Sequence, residues 1–286
     1  MKIVLGLSMA GGEMNNQRKS LWRFTLLIVI SALFMLPLVL MLLASLKPAE
    51  QLTGDPYSLL PERVVWSNYQ QALEVVPYLK YLANSIVLCL GSVLGTVVSC
   101  SLVAYGFARL RWRGRKAMFA VLIATMLLPW HVTMIPRFVL FSELGLYNQL
   151  AAIILPTFLG DAFYIFMLRQ FFLSIPEELS EAARLDGLSE FGIYWRIIVP
   201  LSKPALVTVA MFQLVVSWND FSSPLLYLSD QEKFPLAYGL EQFVSSYSDQ
   251  THLLMAASVM FTLPMVFLFF VAQKSFTRGI TMTGSK

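Results

Sequence analysis

The chain has 286 residues, of which 57% are hydrophobic and 13% charged, and a net charge of +4. A soluble domain carries about 45–50% apolar and about 25% charged residues, and 17 acids with 21 bases are too few to cover the surface of a soluble body this size. The charges also cluster between long uncharged runs and the mean hydropathy is +0.66, which excludes secreted enzymes, disordered regulators and disulfide scaffolds and indicates a polytopic membrane protein.

Residues 1–20 read as a cytoplasmic tail. Their apolar run, Ile3 to Leu7, is too short for the core of a secretory signal, and a native start at Met14 is equally compatible with them. Six uncharged or nearly uncharged runs follow. They lie at 24–46, between Lys80 and Arg109, between Lys116 and Arg137, at 150–168 with Asp161 inside, from Lys203 to about 228 with Asp220 inside, and at 253–273. Each approaches or exceeds the roughly 20 residues that carry a helix across about 30 Å of hydrocarbon. An open sheet would leave edge groups unpaired in lipid, and a barrel would show short alternating segments. The expected fold class is therefore an all-α membrane protein with six transmembrane helices spanning 21–276, followed by a cytoplasmic C-terminal tail, 277–286. Cys89 and Cys100 share one run. On a helix they stand about 16 Å apart, too far for a disulfide.

Basic residues orient the spans. Lys2, Arg18, Lys19 and Arg23, the cluster from Arg109 to Lys116, then Arg169, Arg184, Arg196 and Lys203, and finally Lys274, Arg278 and Lys286 fall on one side. Only five of the 21, Lys47, Arg63, Lys80, Arg137 and Lys233, fall on the other. The richer side is cytoplasmic, so both termini are expected inside. The loop from Arg109 to Lys116, with five bases and no acid, is the strongest single signal.

Polar groups within spans are functional suspects. His131 follows Pro129 and Trp130 in the outer part of the third span, where a substrate contact and an ordinary interfacial histidine fit equally well. Asp161 lies about 11 residues into the fourth span; a pathway role competes there with a helix kink or an interhelical hydrogen bond. Trp218, Asn219 and Asp220 lie in the outer half of the fifth span, as a pore lining or as part of the aromatic belt. As a lining, the aromatic face would stack on sugar rings while amide and carboxylate oxygens bond hydroxyls.

One cytoplasmic loop, 169–203, is longer than the rest. Ser174 and Glu177 have capping-box spacing and Pro176 suits a first helical turn, so a helix is expected over 176–186, with acids early, where the dipole favours them. Gly187 is a natural stop and Ser189 a cap for a second helix, 190–198. A helix lying on an anionic leaflet prefers Lys and Arg, yet here five acids outnumber Arg184 and Arg196. Small Ala182 and Ala183 permit close approach. The loop is either a surface helix or a segment built to enter a protein cleft.

Glu181-Ala182-Ala183, three residues, Gly187, nine residues, Ile197, one residue, Val199 and Pro200 resemble the EAA signature of permease subunits of bacterial binding-protein-dependent ABC importers. Val199 stands where leucine is usual. Asn84-Ser85, the run from Ala104 to Arg109, Pro129 and Pro136, the Trp218-Asn219-Asp220 triplet, Gln273 and the tail from Gly279 to Lys286 are similar to the carbohydrate branch, and most to its MalG-type subunit. The resemblance implies a MetI-like bundle whose EAA loop forms coupling helices in a groove of a separate ATPase subunit. Glu181, Ala182, Ala183, Asp186, Gly187, Ile197 and Pro200 would be the coupling residues. It further implies alternating access for a sugar or oligosaccharide, with a second permease subunit, two ATPase copies holding ATP and Mg, and an extracytoplasmic solute-binding protein as partners in the bacterial inner membrane. The tail would reach the ATPase interface.

No catalytic site is evident, and the chain itself is expected to bind no cofactor. Gly279, Gly284 and the closing Ser285-Lys286 mimic phosphate-loop spacing with Ser and Lys reversed and no helix after them. His131 and His252 are isolated, so no metal cluster is expected. An intramembrane aspartyl protease fails because Phe158 stands where its glycine is needed. The remaining alternative is a proton-coupled secondary carrier using Asp161 and Asp220, which leaves the acidic loop unexplained.

Overall fold

The computed structural model describes residues 2–55, 57–246 and 250–283, with side chains placed over 22–55, 57–243 and 250–270. Every regular element among them is helical. The chain divides into two compact units, one of residues 2–72 with 250–259 and one of 73–246 with 260–283, described in turn.

In the first unit, α1 (Lys2–Ser45) is a 44-residue helix. Its stretch Trp22–Ser45 is long and apolar enough to span a bilayer and almost wholly uncovered by this chain. Its end is closed by side chains. Asn68 Nδ2 donates to the carbonyls of Ser45 (2.9 Å) and Lys47 (2.8 Å), which satisfies acceptors a helix terminus otherwise leaves open. Two short helices, α2 (Ala49–Gly54) and α3 (Ser67–Val75, which runs on into the second unit), flank a turn that Gln51 ties by donating to the Leu60 carbonyl at 2.9 Å.

The second unit is organised on α4 (Tyr78–Ala108). Leu88, Ser92, Thr96, Cys100, Ala104 and Ala108 recur every four residues and are all buried, so one face of α4 is a stripe of mostly small side chains that admits neighbouring backbones closely. The helices α8 (Ala162–Ser174) and α12 (Lys203–Trp218) and the 3₁₀ turn Leu155–Leu159 pack against it. Gly95 lies opposite Thr157 and Phe158, where an added Cβ would come within 2.6 Å of the phenyl ring.

The third span is not straight. Helices α5 (Arg115–Thr125) and α6 (Trp130–Glu143) meet at 97°. Pro129 at the break is extended and has no N–H to continue the ladder. The fourth run comprises α7 (Ala151–Ile154), the 3₁₀ turn, and α8 (Ala162–Ser174), with Gly160 at φ +89° between the last two. Next come α9 (Glu177–Leu185), α10 (Glu190–Ile193), a π turn Tyr194–Ile198 and α11 (Val199–Leu201). A 78° bend at Ser202 leads into α12 (Lys203–Trp218). The chain continues through α13 (Ser222–Tyr227), α14 (Leu236–Ser246) and α15 (Thr251–Thr283).

Four helices among the described residues are long and apolar enough to cross a membrane, and the two bent pairs raise that to six by length and composition. The six-span helical fold read from the sequence is thus the fold observed, with two of its spans bent. The helix α15 runs unbroken to Thr283, past the boundary read at 276; Gly284, Ser285 and Lys286 of the tail lie outside the described residues. Cys89 and Cys100 are both free and buried.

Candidate functional site

The loop 169–203 folds as two short helices set at an angle. Helix α9 starts one residue after Pro176 and has Glu177 and Glu178 in its first turn and Arg184 in its last, each charge on the side the dipole favours. The expected capping box does not form. Pro176 is the N-cap residue, no side chain caps the helix, and Ser174 Oγ instead donates to the Phe171 carbonyl at 2.7 Å. Ser174 is still the last residue of α8, too early to cap α9. Gly187 has φ +81°, the left-handed stop expected of it, and Ser189 Oγ accepts from the Gly192 amide at 3.2 Å.

The two alanines of the motif face opposite ways: Ala183 is buried with Ser180, while Ala182 is exposed. On the outer face Glu178, Glu181 and Ala182 stand beside the uncovered side chains of Leu179 and Leu185, the latter 89% exposed. Glu181 makes no ion pair among the described residues. In the second helix Ile197 is half-buried, Ile198 buried and Pro200 exposed.

The inner face is fastened to the bundle by side chains from the end of α4. Tyr105 donates from its hydroxyl to Glu190 Oε2 at 2.7 Å. Glu190 Oε1 accepts from Arg184 Nε at 2.8 Å, so one carboxylate joins α4, α9 and α10. The Ser101 and Tyr194 hydroxyls bond at 2.8 Å. Arg109 Nη2 donates to the carbonyls of Phe172 and Ile175, both at 2.5 Å, closing the C-terminus of α8 just before α9. Arg111 pairs with Glu177 at 3.0 Å across the surface. The Arg184 guanidinium beside Glu190 holds its carboxyl below the ordinary glutamate range, and the same bond raises Arg184. Burial pulls Arg109 down. Between the basic loop and α9 lies an open groove of about 850 Å³, lined by Arg109, Arg111, Trp112, Glu177, Glu181 and Glu190 among others. Of this fastening, only the helical positions of Glu190 and Arg184 were visible in the sequence. The signal for Tyr105 and Arg109 was their place in the segment Ala104 to Arg109, which closes the second span against the loop 169–203.

The expected pathway residues are scattered. Asp161 sits at the N-cap of α8, where Oδ1 accepts from the amides of Phe163 (2.9 Å) and Tyr164 (3.2 Å). Its backbone meets Cys100 of α4, whose sulfur lies 3.2 Å from the Asp161 amide. His131 is exposed and set edge-on to the Trp130 ring at 5.4 Å. Trp218 is 4% exposed and packs on Phe261 at 5.6 Å, its indole N–H without a hydrogen-bond partner among the described residues. Asn219 donates to the Val215 carbonyl at 2.8 Å, ending α12, and Asp220 Oδ1 accepts from the Ser223 amide at 3.0 Å, opening α13. Of these five, Asp161 alone lines a cavity of about 500 Å³ between the breaks of the third and fourth spans, together with Trp130, Thr133 and Arg137. Arg137 and Trp130 were not singled out from sequence as site residues. No group of three or more metal-ligating side chains occurs among the described residues.

Comparison with known proteins agrees with this architecture. The chain is 35% identical over 261 residues to an arabinooligosaccharide transport system permease protein of Bacillus subtilis, covering 90% of this chain and 92% of the relative. It is 30% identical to a polygalacturonan/rhamnogalacturonan transport system permease protein of the same organism, over 96% of this chain and the full length of the relative. Among solved structures, a bacterial ABC transporter involved in import of the acidic polysaccharide alginate matches with a TM-score of 0.78 at 26% identity, covering 92% of this chain and 98% of the other. A second structure, that transporter in complex with its alginate pentasaccharide-bound periplasmic protein, shares the fold with a TM-score of 0.62 at 14% identity. The family model of the binding-protein-dependent transport system inner membrane component matches residues 89–282, a stretch that holds the EAA loop, its fastening on α4 and both helix breaks; the chain belongs to that family of ABC importer permeases.

Proposed function

We propose that this chain forms half of the translocation pathway of an ATP-driven importer for a sugar or oligosaccharide. Separate ATPase subunits dock on α9 and move the bundle between inward- and outward-facing states. The observation that carries the reading is the division of α9. Its inner face is bonded through Glu190 and Arg184 to α4, while its outer face offers Glu181, Ala182 and two uncovered leucines to a partner. A push on such a helix passes into α4 rather than being absorbed in the loop. One relative named for arabinooligosaccharide transport and one named for polygalacturonan/rhamnogalacturonan transport support the solute class. The full assembly would hold a second permease, two ATPase copies carrying ATP and Mg, and an extracytoplasmic solute-binding protein, with both termini of this chain in the cytoplasm. The secondary-carrier alternative draws no support from the acids, because Asp161 and Asp220 each act as backbone caps.

The test is co-purification of the ATPase with the permease pair, read alongside solute uptake. Glu181→Lys reverses the charge of an exposed carboxylate that no described residue pairs. Gly187→Val forces a β-branched residue into a left-handed conformation, at a cost of roughly 1–2 kcal/mol, in a position where an added Cβ meets nothing among the described residues within 4 Å. Both variants should reach the membrane at normal levels, bind the ATPase weakly and lose uptake. Wild-type uptake in both would show α9 to be a surface helix only, and active uptake by the chain purified alone would refute the assembly.

A further inference from the structure

The cavity between the two helix breaks lies where irregular backbone interrupts candidate spans. Irregular backbone at membrane depth persists where it is buried in protein or lines a wet cavity. Here the side chains around it carry polar capacity that the chain leaves unused. The Arg137 guanidinium makes neither an ion pair nor a hydrogen bond among the described residues. The Trp130 indole N–H has no partner there either, and its ring is only half-covered. Asp161 spends Oδ1 on the amides of α8 and leaves Oδ2 open. Thr133 donates to the Trp130 carbonyl at 3.0 Å and keeps its lone pairs. An arginine within a span that no described residue pairs is costly unless something completes it, and the volume of about 500 Å³ falls inside the range of about 300–1,000 Å³ typical of small-molecule sites.

We infer that this cavity is a subsite for a neutral saccharide ring on the transport pathway, an inference that rests on the proposed importer function. Trp130 supplies a flat apolar face for the C–H side of a pyranose or furanose. Asp161 Oδ2 accepts from ring hydroxyls, and Arg137 and the indole N–H donate to ring oxygens. One cation and one anion line the cavity, so its walls are close to neutral. A uronate carboxylate would therefore meet the Asp161 carboxylate, whereas an uncharged ring meets donors and acceptors together.

The experiment uses the complete importer with its binding protein in proteoliposomes, and three probes: arabinotriose, maltotriose and digalacturonate. In the Thr133→Cys variant a water-soluble methanethiosulfonate should modify the introduced thiol, with wild type giving the background from buried Cys89 and Cys100. An imported neutral saccharide should slow that modification at least threefold, digalacturonate should not, and adding Trp130→Ala should abolish the protection. Uptake of the neutral saccharide should fall tenfold or more in Arg137→Gln, while Asp161→Asn, which keeps the helix cap, should lose uptake without loss of the folded complex. Undiminished modification in the presence of a saccharide that the wild type imports, or wild-type uptake by Arg137→Gln, overturns the subsite alone. Equal or better protection by digalacturonate overturns the neutral class. Uptake of none of the three by the wild-type complex overturns the importer reading and the subsite with it.

Discussion

Replacing Tyr105 by phenylalanine removes one oxygen and leaves the ring, 5% exposed, in place against Tyr194 at a centroid distance of 5.3 Å. The lost hydroxyl donates to Glu190 Oε2 at 2.7 Å. A hydrogen bond to a charged group contributes about 1.5–3 kcal/mol when buried. The Glu190 side chain is 44% exposed and keeps Arg184 on its other oxygen, so water recovers part of the loss and the expected cost is about 1–1.5 kcal/mol. Tyr105→Phe leaves α9 intact and loosens its attachment to α4. Amide hydrogen exchange at Leu188, whose N–H bonds the Ala183 carbonyl at 3.0 Å, should accelerate roughly five- to tenfold, since about 1.4 kcal/mol is a factor of ten in an opening equilibrium. Glu190→Gln should accelerate it further by weakening both bonds, and the double variant should fall short of the sum of the single effects because the two residues share one interaction. In the assembled importer, substrate-stimulated ATP hydrolysis should persist in Tyr105→Phe while uptake per ATP falls. Unchanged exchange in Tyr105→Phe, or strict additivity in the double variant, would refute the view that this carboxylate fastens the loop to the bundle.

Two further outcomes are expected. Gly95→Ala drives a methyl into Thr157 and Phe158 and should destabilise the packing of the 3₁₀ turn on α4 by about 1–3 kcal/mol, read as a lower midpoint in thermal unfolding of the purified complex; an unchanged midpoint would mean that the turn shifts freely. Because Arg184 depresses the Glu190 carboxyl, the contribution of that pair is fully present above the ordinary glutamate value of 4.5 and is lost as pH falls through the lower folded value. Protease resistance of the 169–203 segment should therefore hold at pH 5 and decline below the ordinary value, with the dependence flattened in Glu190→Gln.

The spans were legible because hydropathy registers length and charge, and the ends of α4 lie within a few residues of Lys80 and Arg109. The bend of the third span was not, because an uncharged run reads the same whether it is straight or folded back; Pro129 marks that bend and Gly160 the irregular turn of the fourth run, yet proline and glycine also occur in continuous membrane helices, as Pro264 does within α15. Asp161 read as a charge near the midplane, while the preceding Gly160 at φ +89° makes it the cap of a new helix. The Gly-Asp pair was the available signal. The turn chemistry of the loop 169–203 was local and therefore readable at Gly187 and Ser189. The Ser174 capping box failed because the helix before it ends on that same residue. The fastening by Tyr105 and Arg109 joins positions 60 to 85 residues apart, and no periodicity encodes such a pairing.

The turn Tyr194–Ile198 is π-helical, held between two α-helical pieces. An insertion of one residue into an α-helix produces such a turn and leaves the flanking segments nearly in their former rotational phase. The nine residues between Gly187 and Ile197 are thus one more than an ordinary helix would need to carry Ile198 into the core and Trp195 outward. Motif spacing in this chain is therefore a record of helical phase rather than of distance. A chain one residue shorter within the turn, relaxed to α geometry, would present the same face to the bundle about 1.5 Å sooner along the axis. A strict residue-count pattern would pass over such a chain even though its loop met the bundle in the same orientation.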